Sequence, residues 1–389
     1  MCREKIVIFG VTGSIGTNSE KVISAFPEKY ELIGVSAGSN LSKLSEITKR
    51  HPSIKAVGIS SGQNEKEVEN FSGTILKGES EIAQLLNLNP DKIVMALPGK
   101  LGWKITVEAV RRKIKVCLAN KESLVIAGYY LGEKVTSDRN IIVPIDSEHA
   151  ALMQLLENCD RANINKVYIT ASGGALRDFS IEKMEEAGVA EALNHPVWDM
   201  GKKVTVDSAT MVNKGLELFE AFWLFGIEPE KLGVLIHPTV DAHAAITFKD
   251  GSAISQNGVG NMIVPIAAAI GYPEMLPIAS LFPEMEFKFE NKKMEFFPPD
   301  LEKYPLLAKA FELLKNRDYS GMVAYAISDE VAVEKFLENK IKVKEIQRTV
   351  IESVAKFSGR KAPESVEEIA EFIEKIEVFA NEVLQKDKR

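Results

Sequence analysis

Length, composition and charge limit the classes to which this protein can belong. With 389 residues the chain is too long for one ordinary hydrophobic core, so two or three domains are expected. Hydrophobic residues make up 45% and charged residues 26%, and no apolar run approaches the roughly 20 residues of a membrane span, which predicts a soluble protein without a membrane partner. The net charge of -7 argues against nucleic acid as a partner, because binding to its backbone needs a basic surface.

The N-terminus and the cysteines indicate the compartment. A strand-like apolar run begins within a few residues of Met1 and leaves no room for a signal peptide, so export is not expected. Cys2, Cys117 and Cys159 are odd in number and far apart, which favours a reducing cytoplasm over a disulfide framework. Cys117 lies in an apolar run and is interpreted as a small buried hydrophobic residue.

A glycine-rich turn follows the first predicted strand. In "EKIVIFGVTGSIG" the residues Gly10, Gly13 and Gly16 precede a predicted helix, and this spacing lets backbone amides approach a pyrophosphate. An ordinary strand-turn-helix unit explains the same pattern when it is taken alone. The further runs "YELIGVSA", "DKIVMAL", "IKVCLA" and "NIIVPI", with helical stretches between several of them, favour a doubly wound parallel sheet of the Rossmann type.

The residues after the second predicted strand bear on the choice of cofactor. Residues 36–40 contain no acid at the place where NAD-binding proteins hold the ribose hydroxyls. Their small polar side chains leave room for a 2'-phosphate, so NADPH is favoured over NADH. The lack of Arg or Lys in this turn limits the strength of that preference.

Two carboxylates stand one residue apart in "IIVPIDSEHAAL", where a buried strand ends. If the chain stays extended, Asp146 and Glu148 point to the same side and offer oxygen ligands to a hard cation such as Mg2+ or Mn2+. A helix N-terminus whose acidic residues match the helix dipole explains the same pattern. Both interpretations are open at this point.

A polar stripe is predicted on a mostly buried helix within residues 204–226, capped by Asp207 or Ser208. Four polar residues recur at helical spacing along one face: Thr210, Asn213, Lys214 and Glu217. Ser, Asn and Lys groups by a helix N-terminus make a phosphate-sized set of donors, and Glu217 would supply a third carboxylate. The alternative is an ordinary amphipathic helix with a solvated face.

Two loops complete the candidate site. Residues 194–203, "NHPVWDMGKK", combine Pro and Gly with a Trp and a Met that are costly to expose, which suits a flexible lid; a Trp that packs on the core explains the segment equally well. In "TASGGAL", Ser172 precedes two glycines that permit close backbone approach.

Taken together, "GVTGSIG", "LANKESLV", "PIDSEHAA", "ASGG" and "HPVWDMGKKVTVDSATMVNKGLELFEA" resemble the 1-deoxy-D-xylulose 5-phosphate reductoisomerase family, over nearly the whole chain. In that family, an enzyme that depends on NADPH and a divalent metal (Mg2+, Mn2+ or Co2+) rearranges 1-deoxy-D-xylulose 5-phosphate and reduces the product to 2-C-methyl-D-erythritol 4-phosphate, in the non-mevalonate isoprenoid pathway. The resemblance implies a phosphosugar substrate and a cytoplasmic homodimer.

The resemblance also assigns roles by position. It implies that the metal is bound by Asp146, Glu148 and Glu217, and that the catalytic residues are Lys121, Glu148 and His195. It implies that the substrate contacts Lys121, Ser147, Glu148, Ser172, His195, Trp198, Ser208, Asn213, Lys214 and Glu217. It implies that the cofactor contacts Thr12, Gly13, Ser14, Ile15, Gly38, Asn40, Asn120, Glu122 and Gly201. One departure concerns the cofactor, because Ser39 stands where a basic residue often approaches the 2'-phosphate.

The expected fold is α/β, with an N-terminal Rossmann-like doubly wound parallel sheet, a central α+β catalytic and dimerisation domain, and a C-terminal helical domain. The predicted boundaries are 1–145, 146–283, 284–305 for a strand and linker, and 306–389. One rival function is another NAD(P)-dependent Rossmann enzyme that acts on a phosphosugar without net redox. A sensor that binds NADPH without chemistry would be expected to lack the three carboxylates.

Overall fold

The structure is a computed structural model of the chain, which describes residues 2–60, 68, 71–137, 140–195 and 200–386, apart from the side chains of 133, 136 and 137. The elements up to residue 157 are β1 (Glu4–Phe9), α1 (Ser14–Ala25), β2 (Tyr30–Ala37), α2 (Leu41–Arg50), β3 (Ala56–Ile59), β4 (Thr74–Lys77), α3 (Glu79–Ile82), β5 (Lys92–Met95), α4 (Trp103–Arg111), β6 (Lys115–Leu118), α5 (Lys121–Ser137), β7 (Ile142–Pro144) and α6 (Ser147–Glu157).

The remaining elements are β8 (Ile164–Ala171), α7 (Ile181–Glu185), α8 (Val189–Ala192), α9 (Lys202–Ala209), α10 (Val212–Phe225), β9 (Leu232–Ile236), β10 (Ala242–Phe248), β11 (Ala253–Asn257), α11 (Ile263–Gly271), α12 (Ile278–Leu281), α13 (Pro305–Lys315), α14 (Tyr319–Leu337), α15 (Val343–Phe357) and α16 (Val366–Gln385). Within the described part of the chain, the helices include none that is long and apolar enough to cross a membrane.

A seven-stranded parallel sheet organises the first of two compact units, which contains residues 1–120, 137–150 and 261–286. The strand order is β4-β3-β2-β1-β5-β6-β7, so the chain winds outward from β1 in one direction and then from β5 in the other. Strands covered on both faces read as continuous apolar runs, and Ile6 to Phe9 of β1 are fully buried. The predicted doubly wound sheet is confirmed, and its order reverses between β1 and β5, where such folds bind ligands.

Two neighbouring strands at one side of this sheet escaped prediction. β3 and β4 are each only four residues long, and both pair in parallel with their neighbours. β3, AVGI, is interrupted by a glycine, and β4, TILK, buries only Leu76, so neither gives a continuous apolar run. The five runs that did predict strands correspond to β1, β2, β5, β6 and β7.

Helix α11 covers part of the same sheet, in contact with α1, β6 and β7. Its sequence, IVPIAAAIG, is apolar on nearly every side, which is typical of a buried helix. The Cys117 thiol donates to the Ala269 carbonyl at 3.4 Å, and burial raises the pKa of this thiol to about 12. The interpretation of Cys117 as a buried hydrophobic residue is therefore confirmed.

The second compact unit contains residues 121–136, 151–260 and 287–389. Its four-stranded sheet has the order β11-β10-β8-β9, with β8 parallel to β9 and antiparallel to β10. The C-terminal helices pack around α14, in which Tyr325 and Phe336 are fully buried. The α+β and helical parts of the predicted fold are confirmed, while the four domain boundaries stay a prediction.

Two local predictions were wrong. Residues 284–305 form no strand but only an isolated bridge from Phe297 to Ile236, because a single position of this segment pairs with β9. The segment 204–226, in which one helix capped by Asp207 or Ser208 was predicted, contains two helices, since Met211 adopts a left-handed conformation with φ of 61° between α9 and α10.

The break also changes which residues cap a helix. Asp207 and Ser208 lie in the last turn of α9, so the prediction that one of them caps the helix carrying Glu217 was wrong. The Thr210 hydroxyl donates to the Val206 carbonyl at 3.2 Å, a side-chain bond of the kind that competes with helix continuation.

The glycine turn yields a stability prediction. A Cβ on Gly16 would lie 2.2 Å from the Gly10 carbonyl oxygen, whereas a Cβ on Gly13 would meet the same oxygen at an ordinary 3.5 Å. Because the obstructing atom belongs to the backbone, we expect Gly16→Ala to lower the free energy of unfolding by about 1–3 kcal/mol. Urea unfolding without nucleotide measures this difference. Gly13→Ala is the matched control and should stay near wild type; equal losses in both variants would contradict the steric explanation.

Candidate active site

The turn between β1 and α1 is built for close backbone approach. Gly10 has φ of 87°, and a Cβ there would lie 2.7 Å from the Ala96 carbonyl oxygen. The Gly10 amide donates to the Ser36 carbonyl at 3.1 Å, which fixes the turn against the end of β2. Gly13 is the N-cap of α1, so the predicted cofactor residues Thr12, Gly13, Ser14 and Ile15 form the turn and the first helical residues. A helix N-terminus preceded by glycines, which have no side chains to block the approach, can accommodate a pyrophosphate.

The predicted cofactor residues Gly38 and Asn40 follow β2. Asn40 caps α2, and its Oδ1 accepts from the Lys43 amide at 3.1 Å. The Lys43 side chain, which the sequence analysis missed, reaches back to the glycine turn, where Nζ donates to the Thr12 carbonyl at 3.1 Å and to Thr17 Oγ1 at 2.7 Å. Lys43 lies four residues after Ser39, and nothing in the sequence between them indicates that its side chain reaches the glycine turn.

Asn120 lies at the carboxyl end of β6 and connects two strand ends. Its Nδ2 donates to the Leu97 carbonyl and, at 2.6 Å, to the Gly99 carbonyl, both in the segment after β5. Asn120 is buried, so it shapes the loop that follows β5 at the ligand-binding edge of the sheet.

Asp146 and Glu148 lie at the N-terminus of α6 rather than on an extended strand. Asp146 Oδ1 accepts from the Glu148 amide at 3.3 Å, so the carboxylate satisfies one of the amides left unpaired at a helix start. The extended-chain premise was wrong, and the helical interpretation describes the backbone correctly. The Ser147 hydroxyl donates to Glu148 Oε2 at 2.5 Å, and the fully buried His149 is 3.0 Å from Asp146 Oδ1 through Nδ1.

Glu217 is the centre of a buried polar group in the second unit. Its Oε1 accepts from Lys121 Nζ at 2.8 Å and from Asn213 Nδ2, and its Oε2 accepts from Lys214 Nζ. Lys121 Nζ also donates to Asn213 Oδ1 at 2.9 Å. Glu217 is 1% exposed, Lys121 6% and Lys214 3%. The structure therefore brings together four of the predicted residues, although only three of them lie on α10.

The loop that carries Ser172 packs against the end of α9. Gly174 has φ of 70°, and a Cβ there would lie 2.4 Å from the Ser208 carbonyl oxygen, so the loop reaches this position only with glycine. Ser172 Oγ accepts from the Gly174 amide at 3.1 Å, and the Tyr304 hydroxyl donates to the Gly173 carbonyl at 3.2 Å. These contacts place the predicted phosphate ligands Ser172 and Ser208 on adjoining segments.

Part of the predicted lid is described. His195 Nε2 lies 3.1 Å from Ser172 Oγ, and burial lowers the pKa of His195, which favours the neutral imidazole. Gly201 is the N-cap of α9, and its carbonyl accepts from the Thr205 amide at 3.0 Å. Trp198 lies outside the described residues.

The comparisons with known proteins agree along the chain. Family models described as 1-deoxy-D-xylulose 5-phosphate reductoisomerase match residues 6–128, and models of its C-terminal domain match residues 142–225 and 258–377. The reductoisomerase of Thermodesulfovibrio yellowstonii is 39% identical over 95% of this chain and 96% of the relative, and that of Thermoanaerobacter pseudethanolicus is 36% identical over 92% and 94%. The chain belongs to the 1-deoxy-D-xylulose 5-phosphate reductoisomerase family.

Solved structures support the same assignment. A crystal structure of DOX-P reductoisomerase in complex with NADPH, fosmidomycin and magnesium has a TM-score of 0.89 with 30% identity and covers 99% of both chains. The enzyme from Zymomonas mobilis in complex with NADPH has a TM-score of 0.84 with 30% identity and covers 99% of this chain and 100% of that one. The resemblance seen in the sequence is confirmed, and with it the enzyme class, an oxidoreductase and isomerase.

This reductoisomerase also contains a buried charge cluster that the sequence analysis missed. Lys203 Nζ lies 2.6 Å from Asp207 Oδ2, 3.2 Å from Asp329 Oδ2 and 3.3 Å from Glu122 Oε1. Burial raises the pKa of both aspartates, and the Asp329 charge adds to the rise at Asp207. Although burial acts in the opposite direction, the carboxylates raise the pKa of Lys203 well above its usual value. The cluster joins α5, α9 and α14, and it holds Glu122, a predicted cofactor residue.

The raised aspartate pKa values predict how stability depends on pH. A carboxyl group whose pKa is higher in the folded state stabilises fully below its unfolded pKa, and this stabilisation is lost as pH rises through the folded pKa. Asp329→Asn removes one such group. The free energy of unfolding of the variant minus that of wild type should therefore increase with pH, by up to about 1.4 kcal/mol per pH unit. Urea unfolding from about pH 4, near the unfolded aspartate pKa, up to pH 8 measures this. The exposed-carboxylate control Glu382→Gln should parallel wild type, and a flat or falling difference for Asp329→Asn would contradict the prediction.

Proposed function

We propose how the residues described above carry out the reaction of this family, the conversion of 1-deoxy-D-xylulose 5-phosphate to 2-C-methyl-D-erythritol 4-phosphate. The chain is an NADPH- and divalent-metal-dependent reductoisomerase, which rearranges the carbon skeleton of its phosphosugar substrate and then reduces the product. When bound, NADPH supplies the hydride and the cation polarises the substrate's keto and hydroxyl oxygens. The observation that carries the proposal is the convergence of two lysines and an asparagine on buried Glu217.

We assign the metal ligands to Asp146, Glu148 and Glu217. Their chemistry fits the group, because carboxylate oxygens are the ligands that Mg2+ and Mn2+ prefer. Ligating carboxylates are usually oriented by further hydrogen bonds. The contacts of Ser147 with Glu148 and of His149 with Asp146 provide such support.

Lys121 is assigned to the reacting end of the substrate. Its ammonium group is buried and already oriented by Glu217 Oε1 and Asn213 Oδ1. A preorganised donor of this kind stabilises negative charge where it develops on the substrate oxygens, because little reorganisation is needed during the reaction. Ser147 and Glu148 complete the proposed substrate contacts at this end.

The phosphate is assigned to Ser172, Ser208, Asn213 and Lys214. Binding a group remote from the reacting atoms supplies energy that orders the reacting end. Neutral His195, beside Ser172, can donate or accept a hydrogen bond there and, with Trp198 of the predicted lid, exclude water.

The nicotinamide cofactor is assigned to the glycine turn and the strand ends beside it. Gly10 and Gly16 keep the turn tight, because a Cβ on either would collide with backbone atoms, and such a turn lets a pyrophosphate come close to the start of α1. The remaining proposed contacts are Thr12, Gly13, Ser14, Ile15, Gly38, Asn40, Asn120, Glu122 and Gly201.

The chain is further proposed to act as a cytoplasmic homodimer with no nucleic acid or membrane partner. The net charge of -7 supports the absence of a nucleic acid partner, and the family resemblance supports the dimer. Light scattering of the purified chain, with and without NADPH, measures the oligomeric state directly.

Glu217→Gln tests the metal assignment. The amide keeps the shape of the side chain but removes the charge, so Mn2+ affinity should fall by at least about tenfold while NADPH affinity is retained. Calorimetric Mn2+ titration and NADPH fluorescence measure the two affinities, and NADPH absorbance follows turnover. Glu228→Gln, which removes an exposed carboxylate paired with Arg317, is the control. Unchanged Mn2+ affinity and full activity at low metal in Glu217→Gln would remove Glu217 from the ligand set.

Lys214→Met tests the phosphate assignment. Losing a charge-assisted hydrogen bond of about 1.5–3 kcal/mol to the phosphate should raise the KM for the phosphosugar by about tenfold or more. Steady-state kinetics at saturating NADPH and Mg2+ measure KM and kcat separately. Exposed Lys249 provides the control, and Lys249→Met should keep the wild-type KM. An unchanged KM in Lys214→Met would place the phosphate elsewhere.

The rival reaction without net redox differs in the amount of NADPH that it consumes for each substrate converted. The assigned reaction oxidises one NADPH for each substrate converted, whereas transient use of the cofactor would leave its absorbance unchanged at completion. Family membership favours the reductive reaction.

A further inference from the structure

The side chain of Lys43 occupies a distinctive place in the first unit. Lys43 is in the first turn of α2, and its Nζ lies 3.1 Å from the Thr12 carbonyl and 2.7 Å from Thr17 Oγ1, so it connects the helix after β2 with the glycine turn after β1. Both acceptors are neutral, and neither contact neutralises the ammonium charge. An ammonium group has three donors, and these contacts use two of them.

This charge lies between the two places where dinucleotide-binding folds hold the pyrophosphate and the adenosine ribose. The pyrophosphate lies at the turn after the first strand, and the adenosine ribose lies beside the end of the second, where an acid selects NADH and a base accommodates the 2'-phosphate of NADPH. Here the turn after β2 offers Gly38, Ser39 and Asn40, which carry no charge. Lys43 is the next residue along the chain that can supply one.

We propose that Lys43 is the residue of this reductoisomerase that selects NADPH over NADH, by donating a charge-assisted hydrogen bond to the 2'-phosphate. Asn40 supports this role, because its Oδ1 accepts from the Lys43 amide and fixes the start of the helix. The inference rests on the proposed function, since it deepens the description of the same cofactor site. It locates the basic group on the helix instead of in the turn, where Ser39 cannot provide it.

Equilibrium binding of NADPH and NADH to the purified chain, without substrate or metal, tests the proposal. Lys43→Met should raise the Kd for NADPH by about tenfold or more, as expected for the loss of a hydrogen bond to a charged group, and leave the Kd for NADH close to wild type. Lys43→Arg keeps the charge and should keep the preference. Lys49→Met removes an exposed charge from the last turn of the same helix and is the matched control.

The possible outcomes separate the inference from the function on which it rests. An unchanged ratio of the two affinities in Lys43→Met would overturn the inference, and so would an equal loss for both nucleotides, which would mean that Lys43 only supports the glycine turn. A wild-type chain that bound neither nucleotide would overturn the proposed function as well. A wild-type chain that prefers NADPH, with a preference lost only in Lys43→Met, supports both.

Discussion

The buried Glu217 carboxylate, held by two lysines, is the constraint on which the proposed active site depends. Removing a carboxylate and two ammonium groups from water costs several kcal/mol per ion unless the partners are close and well oriented. Lys121 comes from α5 and Lys214 from α10, so the ion pairs fix these helices relative to each other within the second unit. Removing the Glu217 carboxylate would take away the anion that both ammonium groups share, so the charge balance of this group depends on Glu217.

The parts of the fold that follow from local rules could be predicted from the sequence. β1 has four consecutive buried residues and is followed by Gly10, whose φ of 87° favours glycine, so strand and turn are both visible in the residues themselves. The segment from Asp146 to Glu148 was harder, because acidic residues suit both a ligand-binding strand end and a helix start. The hydrogen bond from the Glu148 amide to Asp146 shows that the backbone begins a helix here. The same carboxylates can still bind a metal.

Features that depend on distant residues could not be predicted in this way. Met211 separates α9 from α10. The sequence does not reveal this break, because the residues around Met211 are compatible with a helix. Lys203 and Asp329 are 126 positions apart, and nothing in either segment indicates the other. The same holds for Lys43, whose partner Thr12 lies 31 positions earlier on another element. Sequence patterns report the periodicity of one segment, whereas these contacts arise from packing between segments.

The arrangement around Glu217 also has a consequence for how an anionic substrate would bind. Lysines on a solvated surface must lose water when they bind a phosphate, and that loss offsets much of the attraction. Lys121 and Lys214 have already left water during folding, with Glu217 as their partner. A phosphosugar that reaches them exchanges one anionic partner for another, or shares them with it, and meets donors that are already oriented. The desolvation is thereby a cost of folding, compensated by the ion pairs, so that more of the binding energy remains to order the reacting end of the substrate.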